Sequence, residues 1–160
     1  MPFICAGKSD IFILVDDYQE KGKEMEPYKH IVQYYETDMM GIAHHSNYIR
    51  WMEEARSAFL REIGWGYERF EKEGIVSPVT ALDCKYRRTT TYADEVFIRV
   101  YIVDFNGVRL RVGYEMRNAA GEVVFNGQSE HCFLDGAGKI VRMNREYPEF
   151  CEAITEYIEE

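Results

Sequence analysis

The sequence predicts an α+β fold in which a curled antiparallel sheet wraps one long central helix. Three observations lead there. From Tyr48, apolar residues recur at Met52, Ala55, Phe59 and Ile63, steps of 4, 3, 4 and 4 that trace one face of a helix. After Pro78 the chain turns to strand patterns and stays with them. A single helix cannot cover several strands unless the sheet curls around it.

Taken in order, His30 to Glu36 is a run of bulky and β-branched residues and predicts a strand. The long helix follows from about Asn47, with Ser46 as the simplest cap, and Gly64 and Gly66 stop it. Residues 65–78 connect, with a short helix at Tyr67 to Lys72. Val79 to Arg88 and Glu95 to Asp104 are strands, the second rich in Val, Ile, Phe and Tyr. Asn106-Gly107 signals a hairpin. Beyond it Val108, Leu110, Val112, Tyr114 and Met116 alternate with Arg109, Arg111, Gly113, Glu115 and Arg117, a strand with one wet face. Ala119-Ala120-Gly121 turns the chain into a last long strand, Glu122 to Leu134. A tail strand at Lys139 to Arg142 and a helix at Tyr147 to Tyr157 complete the reading. No repeat, linker or low-complexity tract divides the chain.

Length and composition agree with one domain: 160 residues, 46% hydrophobic and 14% aromatic. The net charge of −9 argues against a general nucleic-acid binder, which would carry a basic stripe. Cys5, Cys84, Cys132 and Cys151 form no CxxC and no zinc spacing, so they read as reduced thiols of a cytoplasmic protein. No apolar run approaches the ~20 residues of a membrane span.

Residues 1–24 differ from the rest. Met25 precedes the first strand pattern, and Glu20 to Glu24 would be encoded by purine-rich codons resembling a ribosome-binding site. Two readings stand: Met25 is the natural start, or residues 1–24 are an N-terminal arm with a short strand at Ile11 to Val15. The domain proper is residues 25–160.

The chemistry gathers at the mouth of the helix, in Tyr34-Tyr35-Glu36-Thr37-Asp38-Met39-Met40-Gly41-Ile42-Ala43-His44-His45-Ser46-Asn47-Tyr48. Asp38 alone reads as a turn or capping aspartate. However, a tight turn through Gly41 can fold its carboxylate over the helix mouth, where unpaired N–H groups and positive potential lie. A carbonyl oxygen held on those donors beside a carboxylate is an acyl-transfer geometry, with the carboxylate attacking or activating water. Adjacent His44 and His45 point in different directions and lack the i, i+4 spacing of a metal pair, so no metal is expected. His45 is the one placed at the site; His44 packs or meets solvent, and Asn47 caps the helix or hydrogen-bonds in the site.

At these residues the sequence resembles the hotdog-fold acyl-CoA thioesterases of the 4-hydroxybenzoyl-CoA thioesterase family, nearest the branch of the Tol-Pal-associated thioesterases. The shared pattern is a bulky strand, Asp-x-x-Gly, and Asn-Tyr at the helix start. Ser77-Pro78-Val79, Tyr86-Arg87-Arg88-Thr89 and Tyr92-Ala93-Asp94-Glu95-Val96 extend it, so the likeness runs from about Pro27 to Asn144. The resemblance implies a hotdog thioesterase domain that hydrolyses an acyl-CoA to free acid and CoA. Asp38 would be nucleophile or general base and the His45 N–H the carbonyl donor, with Gly41 permitting the turn. It further implies homodimers with active sites at the subunit interface, often paired into tetramers, and no cofactor beyond the CoA of the substrate. Met39, Met40 and His44 depart from the family pattern and would border the acyl group, as would Asn47 and Tyr48.

CoA phosphates require local cations on an acidic protein. Arg87 and Arg88, beside Lys85, are the best cluster; Arg109, Arg111 and Arg117 read as solvated strand charge. An acyl-carrier-protein thioesterase is an alternative, weakened by repulsion between two acidic proteins. A dehydratase would use a histidine and an acid across the dimer, without Asp-x-x-Gly. A non-catalytic acyl-CoA-binding protein would need a DNA-binding element, for which the chain has no room.

Overall fold

A computed structural model describes residues 23–159. The strand expected at Ile11 to Val15 and Cys5 lie outside them. Strands β1 (Tyr28–Ile31), β2 (Val79–Tyr86), β3 (Glu95–Phe105), β4 (Arg109–Asn118) and β5 (Val123–Cys132) make one antiparallel sheet in the order β1-β3-β4-β5-β2. Helices are α1 (His45–Glu62), α2 (Tyr67–Glu73), α3 (Met143–Glu146) and α4 (Pro148–Thr155).

Helix α1 buries Tyr48, Trp51, Met52, Ala55, Arg56, Phe59 and Leu60, the i, i+3, i+4 stripe of a core-facing helix. Opposite it stand the inner residues of the sheet: Val96, Ile98 and Ile102 of β3, Leu110, Val112, Tyr114 and Met116 of β4, and Phe125 of β5. Irregularities in register between Ile102 and Asp104, between Met116 and Arg117, and between Val79 and Ala81 accompany the curl. Beyond the C-terminal end of α1, Trp65, Phe70, Phe133 and Phe150 close the core edge-to-face, with Trp65 and Phe150 centroids 5.2 Å apart.

Four expectations are corrected. The first strand ends at Ile31, and Tyr34–Glu36 forms a 3-10 turn. The Glu36 carboxylate there accepts the Gln33 N–H at 2.8 Å and the Trp51 indole N–H at 2.8 Å, which bends the chain out of extension and leaves Tyr34 and Tyr35 exposed. The helix starts at His45 rather than Asn47. The tail strand at Lys139 to Arg142 is a single bridge, Leu134 to Ile140, because Asp135 collects the N–H groups of Ala137 and Lys139 into a tight turn. The final helix is shorter than Tyr147 to Tyr157 and begins with Pro148, whose missing N–H is harmless at a first position.

A buried polar chain crosses the core. The Arg56 guanidinium donates to the hydroxyls of Tyr114 and Tyr67, both at 3.3 Å. The Tyr114 hydroxyl meets Ser129 Oγ at 2.9 Å, and Ser129 Oγ meets His131 Nε2 at 2.7 Å. Burial, helped by the Arg56 charge, pushes the His131 imidazole down from 6.5 to about 4. The unfolded chain therefore takes this proton at a higher pH than the folded one does. Stability from this group is complete above about pH 6.5 and falls, by at most ~1.4 kcal/mol per pH unit, as pH drops toward 4. Thermal melts at pH 7 and pH 5 should show His131→Gln losing less stability over that interval than the parent; equal losses would assign the acid sensitivity elsewhere.

Candidate active site

The site is built where the chain enters α1. Helix α1 is capped by His44, whose Nδ1 accepts the Ser46 N–H at 3.3 Å and lies 2.8 Å from Ser46 Oγ. Ser46, the cap expected from sequence, sits inside the helix instead. Asn47 does not cap: its Nδ2 donates to the Glu36 carbonyl at 2.8 Å, and the His44 N–H donates to the same oxygen at 2.8 Å. His45 is the first helical residue, and its N–H has no acceptor among the described residues.

Between Glu36 and His44 the chain makes a pinched loop. Thr37 and Ala43 pair as an antiparallel bridge, the Asp38 N–H donates to the Ile42 carbonyl at 3.0 Å, and the Gly41 N–H donates to the Asp38 carbonyl at 2.9 Å. Gly41 takes φ +74°, a left-handed conformation that glycine adopts without steric penalty. Asp38 Oδ1 accepts the Met40 N–H at 2.8 Å, which leaves Oδ2 without a hydrogen-bond partner among the described residues.

Two clefts share Asp38 as a wall. One, of about 300 Å³, is lined by Asp38, Met40, Ile42, Ala43, His45, Tyr48, Tyr86, Arg87, Arg88 and Thr89. The other, of about 410 Å³, lies on the opposite side of the loop and is lined by Tyr35, Glu36, Thr37, Asp38, His44, Ser46, Asn47, Arg50 and Glu54. The first gathers six residues singled out from sequence: Asp38, Met40, His45, Tyr48, Arg87 and Arg88. His44 and Asn47 face the second. Met39 is fully exposed and lines neither.

The structure adds Tyr86, at the end of β2. Its hydroxyl donates to the His45 carbonyl at 2.9 Å, and its ring meets Tyr48 and Phe125, each at a centroid distance of 5.2 Å. Burial pushes the Tyr86 and Tyr48 phenols up, so both line the cleft as neutral hydroxyls. The sequence signal was present in Tyr86-Arg87-Arg88, but only the fold sets that strand end against the helix mouth. Around the cleft, Arg88 pairs with Glu122 at 3.2 Å and Arg87 Nε donates to Asn126 at 3.4 Å, while both remain exposed. Arg109, Arg111 and Arg117 pair with Glu130, Asp104 and Glu115 away from it.

The His44 and His45 rings pack on each other, with centroids 4.1 Å apart, instead of converging on a point. Among the described residues no three His, Cys, Asp or Glu side chains cluster as a metal would require, and no helix is long and apolar enough to cross a membrane. Behind the loop, burial pushes the Glu36 carboxyl up, but hydrogen bonds from Trp51, Gln33 and His30 outweigh it and hold the group below its ordinary range.

Chemically, one partly apolar cleft is lined by Asp38, with one carboxylate oxygen free among the described residues, and by His45, the first residue of α1. That pairing suits addition to an activated carbonyl.

Comparison with known proteins gives the same answer. The profile of the Thioesterase-like superfamily matches residues 32–155. YneP of Bacillus subtilis (strain 168), whose name assigns it provisionally to the acyl-CoA thioesterases, is 34% identical over 120 residues, 74% of this chain and 87% of that protein. The structure of a DHNA-CoA thioesterase from Staphylococcus aureus superposes with a TM-score of 0.78 at 31% identity, covering 82% of this chain and 89% of that one. A gentisyl-coenzyme A thioesterase superposes with a TM-score of 0.67 at 25% identity, over 71% of this chain and 92% of that one. The chain thus belongs to the thioesterase-like superfamily, and it is a thioester hydrolase of the hotdog fold.

Proposed function

We propose that the protein hydrolyses acyl-CoA thioesters in the cleft shared by Asp38 and His45. The observation that supports this reading is a juxtaposition of residues: Asp38, whose carboxylate has one oxygen without a partner among the described residues, and His45, the first residue of α1, line one cavity. The thioester carbonyl would accept the His45 N–H at the positive end of the helix, where its oxygen gains negative charge during addition. Asp38 would attack the carbonyl carbon, giving a mixed anhydride that water then cleaves to the free acid and the Asp38 carboxylate, or take a proton from an attacking water; either route expels CoA as the thiolate leaving group. Single-turnover hydrolysis in oxygen-18 water separates the routes, since label enters the Asp38 carboxyl only by direct attack.

The acyl group would rest against Met40, Ile42, Tyr48 and Tyr86. Two of these are flat aromatic rings, and the solved relatives whose names specify DHNA-CoA and gentisyl-CoA put aromatic acyl groups first on any substrate panel. Arg87 and Arg88, exposed at the rim, would meet the CoA phosphates. A second copy of the chain would complete the site. Edge strand β2 leaves Val79, Leu82 and Tyr86 about half exposed, and Tyr86 already lines the cleft, so pairing β2 edges would bury these groups and wall the cleft. Two such dimers would then form the tetramer.

Two outcomes are expected. On a panel of aromatic, short, branched and long acyl-CoAs with a thiol reporter, Asp38→Asn should lower kcat about a hundredfold or more on every substrate the parent cleaves. Parent-level hydrolysis by Asp38→Asn would contradict the assignment. Arg88→Ala should raise KM for acyl-CoA a few-fold with kcat retained, and raising salt should shrink that difference, because an exposed cation acts through screened attraction. A KM unchanged at low salt would remove Arg88 from the phosphate site.

A further inference from the structure

The mechanism above does not use a charged cluster that lies directly behind the loop. His30 of β1 stands between two carboxylates, with Nε2 2.9 Å from Glu36 Oε2 and Nδ1 3.0 Å from Glu54 Oε2. Its ring packs on Trp51 at 4.7 Å between centroids, and the Tyr28 hydroxyl donates to Glu54 at 3.3 Å. Both ring nitrogens of His30 thus face carboxylate oxygens, so the ring is held between Glu36 and Glu54.

Glu36 is fixed on every side. Its carboxylate, 5% exposed, takes the Trp51 indole N–H, the Gln33 N–H and the His30 ring N–H. Its main-chain oxygen takes the His44 N–H and the Asn47 side chain. Thus one residue anchors both ends of the pinched loop: Asp38 lies two residues after it, and the helix cap is bonded directly to it. If Glu36 moves, the Asp38 carboxylate and the His45 N–H move relative to each other, and near-attack geometry tolerates little of that. Its burial also exceeds what a cap or turn requires.

We infer that Glu36, clamped by the His30 ring and the Trp51 indole, is a positioning residue that sets the Asp38 carboxylate against the first N–H of α1. The inference rests on the reading of Asp38 and adds to it a buried charged support from β1 and α1, the elements either side of the loop.

The test is steady-state kinetics on the best substrate of the panel, at a temperature well below each variant's melting transition. Glu36→Gln keeps the size of the side chain and one acceptor for Trp51, but offers an amide N–H to Gln33 N–H and to His30. The expected result is a loss of about tenfold or more in kcat with KM within about twofold. His30→Gln, which can still donate to Glu36, should retain most of the kcat that His30→Ala loses. A purely structural role would lower the melting temperature and leave kcat of the folded enzyme unchanged; parent-level kcat in Glu36→Gln would overturn the inference. Should Glu36→Gln fail to fold, Trp51→Phe decides, since it deletes one donor and keeps an aromatic ring in the core. A lowered kcat at unchanged KM supports the assignment and an unchanged kcat overturns it. Asp38→Asn in the same assay separates the two layers. An active Asp38→Asn refutes the reading of Asp38, whereas an inactive Asp38→Asn beside a fully active Glu36→Gln refutes only the positioning role.

Discussion

Burial of one face of α1 is the constraint from which the rest of the structure follows. Tyr48, Trp51, Met52, Ala55, Phe59 and Leu60 bring a broad apolar stripe to the middle of the chain, and among the described residues no second helix of comparable length covers it. Fully burying side chains of this size is worth about 1.5–3 kcal/mol each, so the sheet is driven to wrap the helix. Wrapping brings strands far apart in sequence into contact with the same helix. β1 meets its N-terminal half through His30 and Trp51, and the far end of β2 meets its first turn through Tyr86 and His45.

The helix mouth is thereby left at the rim of the core, where backbone donors and helix potential face a cleft instead of a packed interior. The loop from Thr37 to Ala43 carries Asp38 up to the start of α1. It is held by a glycine in the left-handed region, by a bridge across its neck, and by the carbonyl of Glu36 at its base. Met40, Tyr48 and Tyr86 give the cleft apolar lining, and Arg87 and Arg88 add cations to it.

Much of this was legible in the sequence, for reasons that differ by element. The helix declared itself through the spacing of Tyr48, Met52, Ala55 and Phe59, and the β3–β4 hairpin through Asn106-Gly107 and the alternation after it. Arg56 was hidden because a charged residue breaks an apolar pattern even when phenols accept its hydrogen bonds in the core. The turn at Tyr34–Glu36 was read as strand because its aromatic residues favour extension; the deciding interaction is a carboxylate reaching an indole fifteen positions away. Likewise, the cap at His44 displaced the expected Ser46 because the Glu36 carbonyl holds the His44 N–H and fixes the entry angle. The Asp38–Gly41 loop and the place of His45 followed from local spacing. Tyr86 and the His30 cluster did not, because each depends on contacts made only when the sheet closes on the helix.

The claim at the centre of this account is that a thioester carbonyl sits on the first N–H of α1 beside Asp38. The most direct measurement is the infrared carbonyl stretch of a carbon-13-labelled acyl-CoA bound to Asp38→Asn, a variant expected to bind it with little turnover. The account predicts a stretch displaced to lower wavenumber than in water, because a preorganised donor at a helix N-terminus polarises the carbonyl more than solvent does. A bound carbonyl that absorbs where it does in water would contradict it.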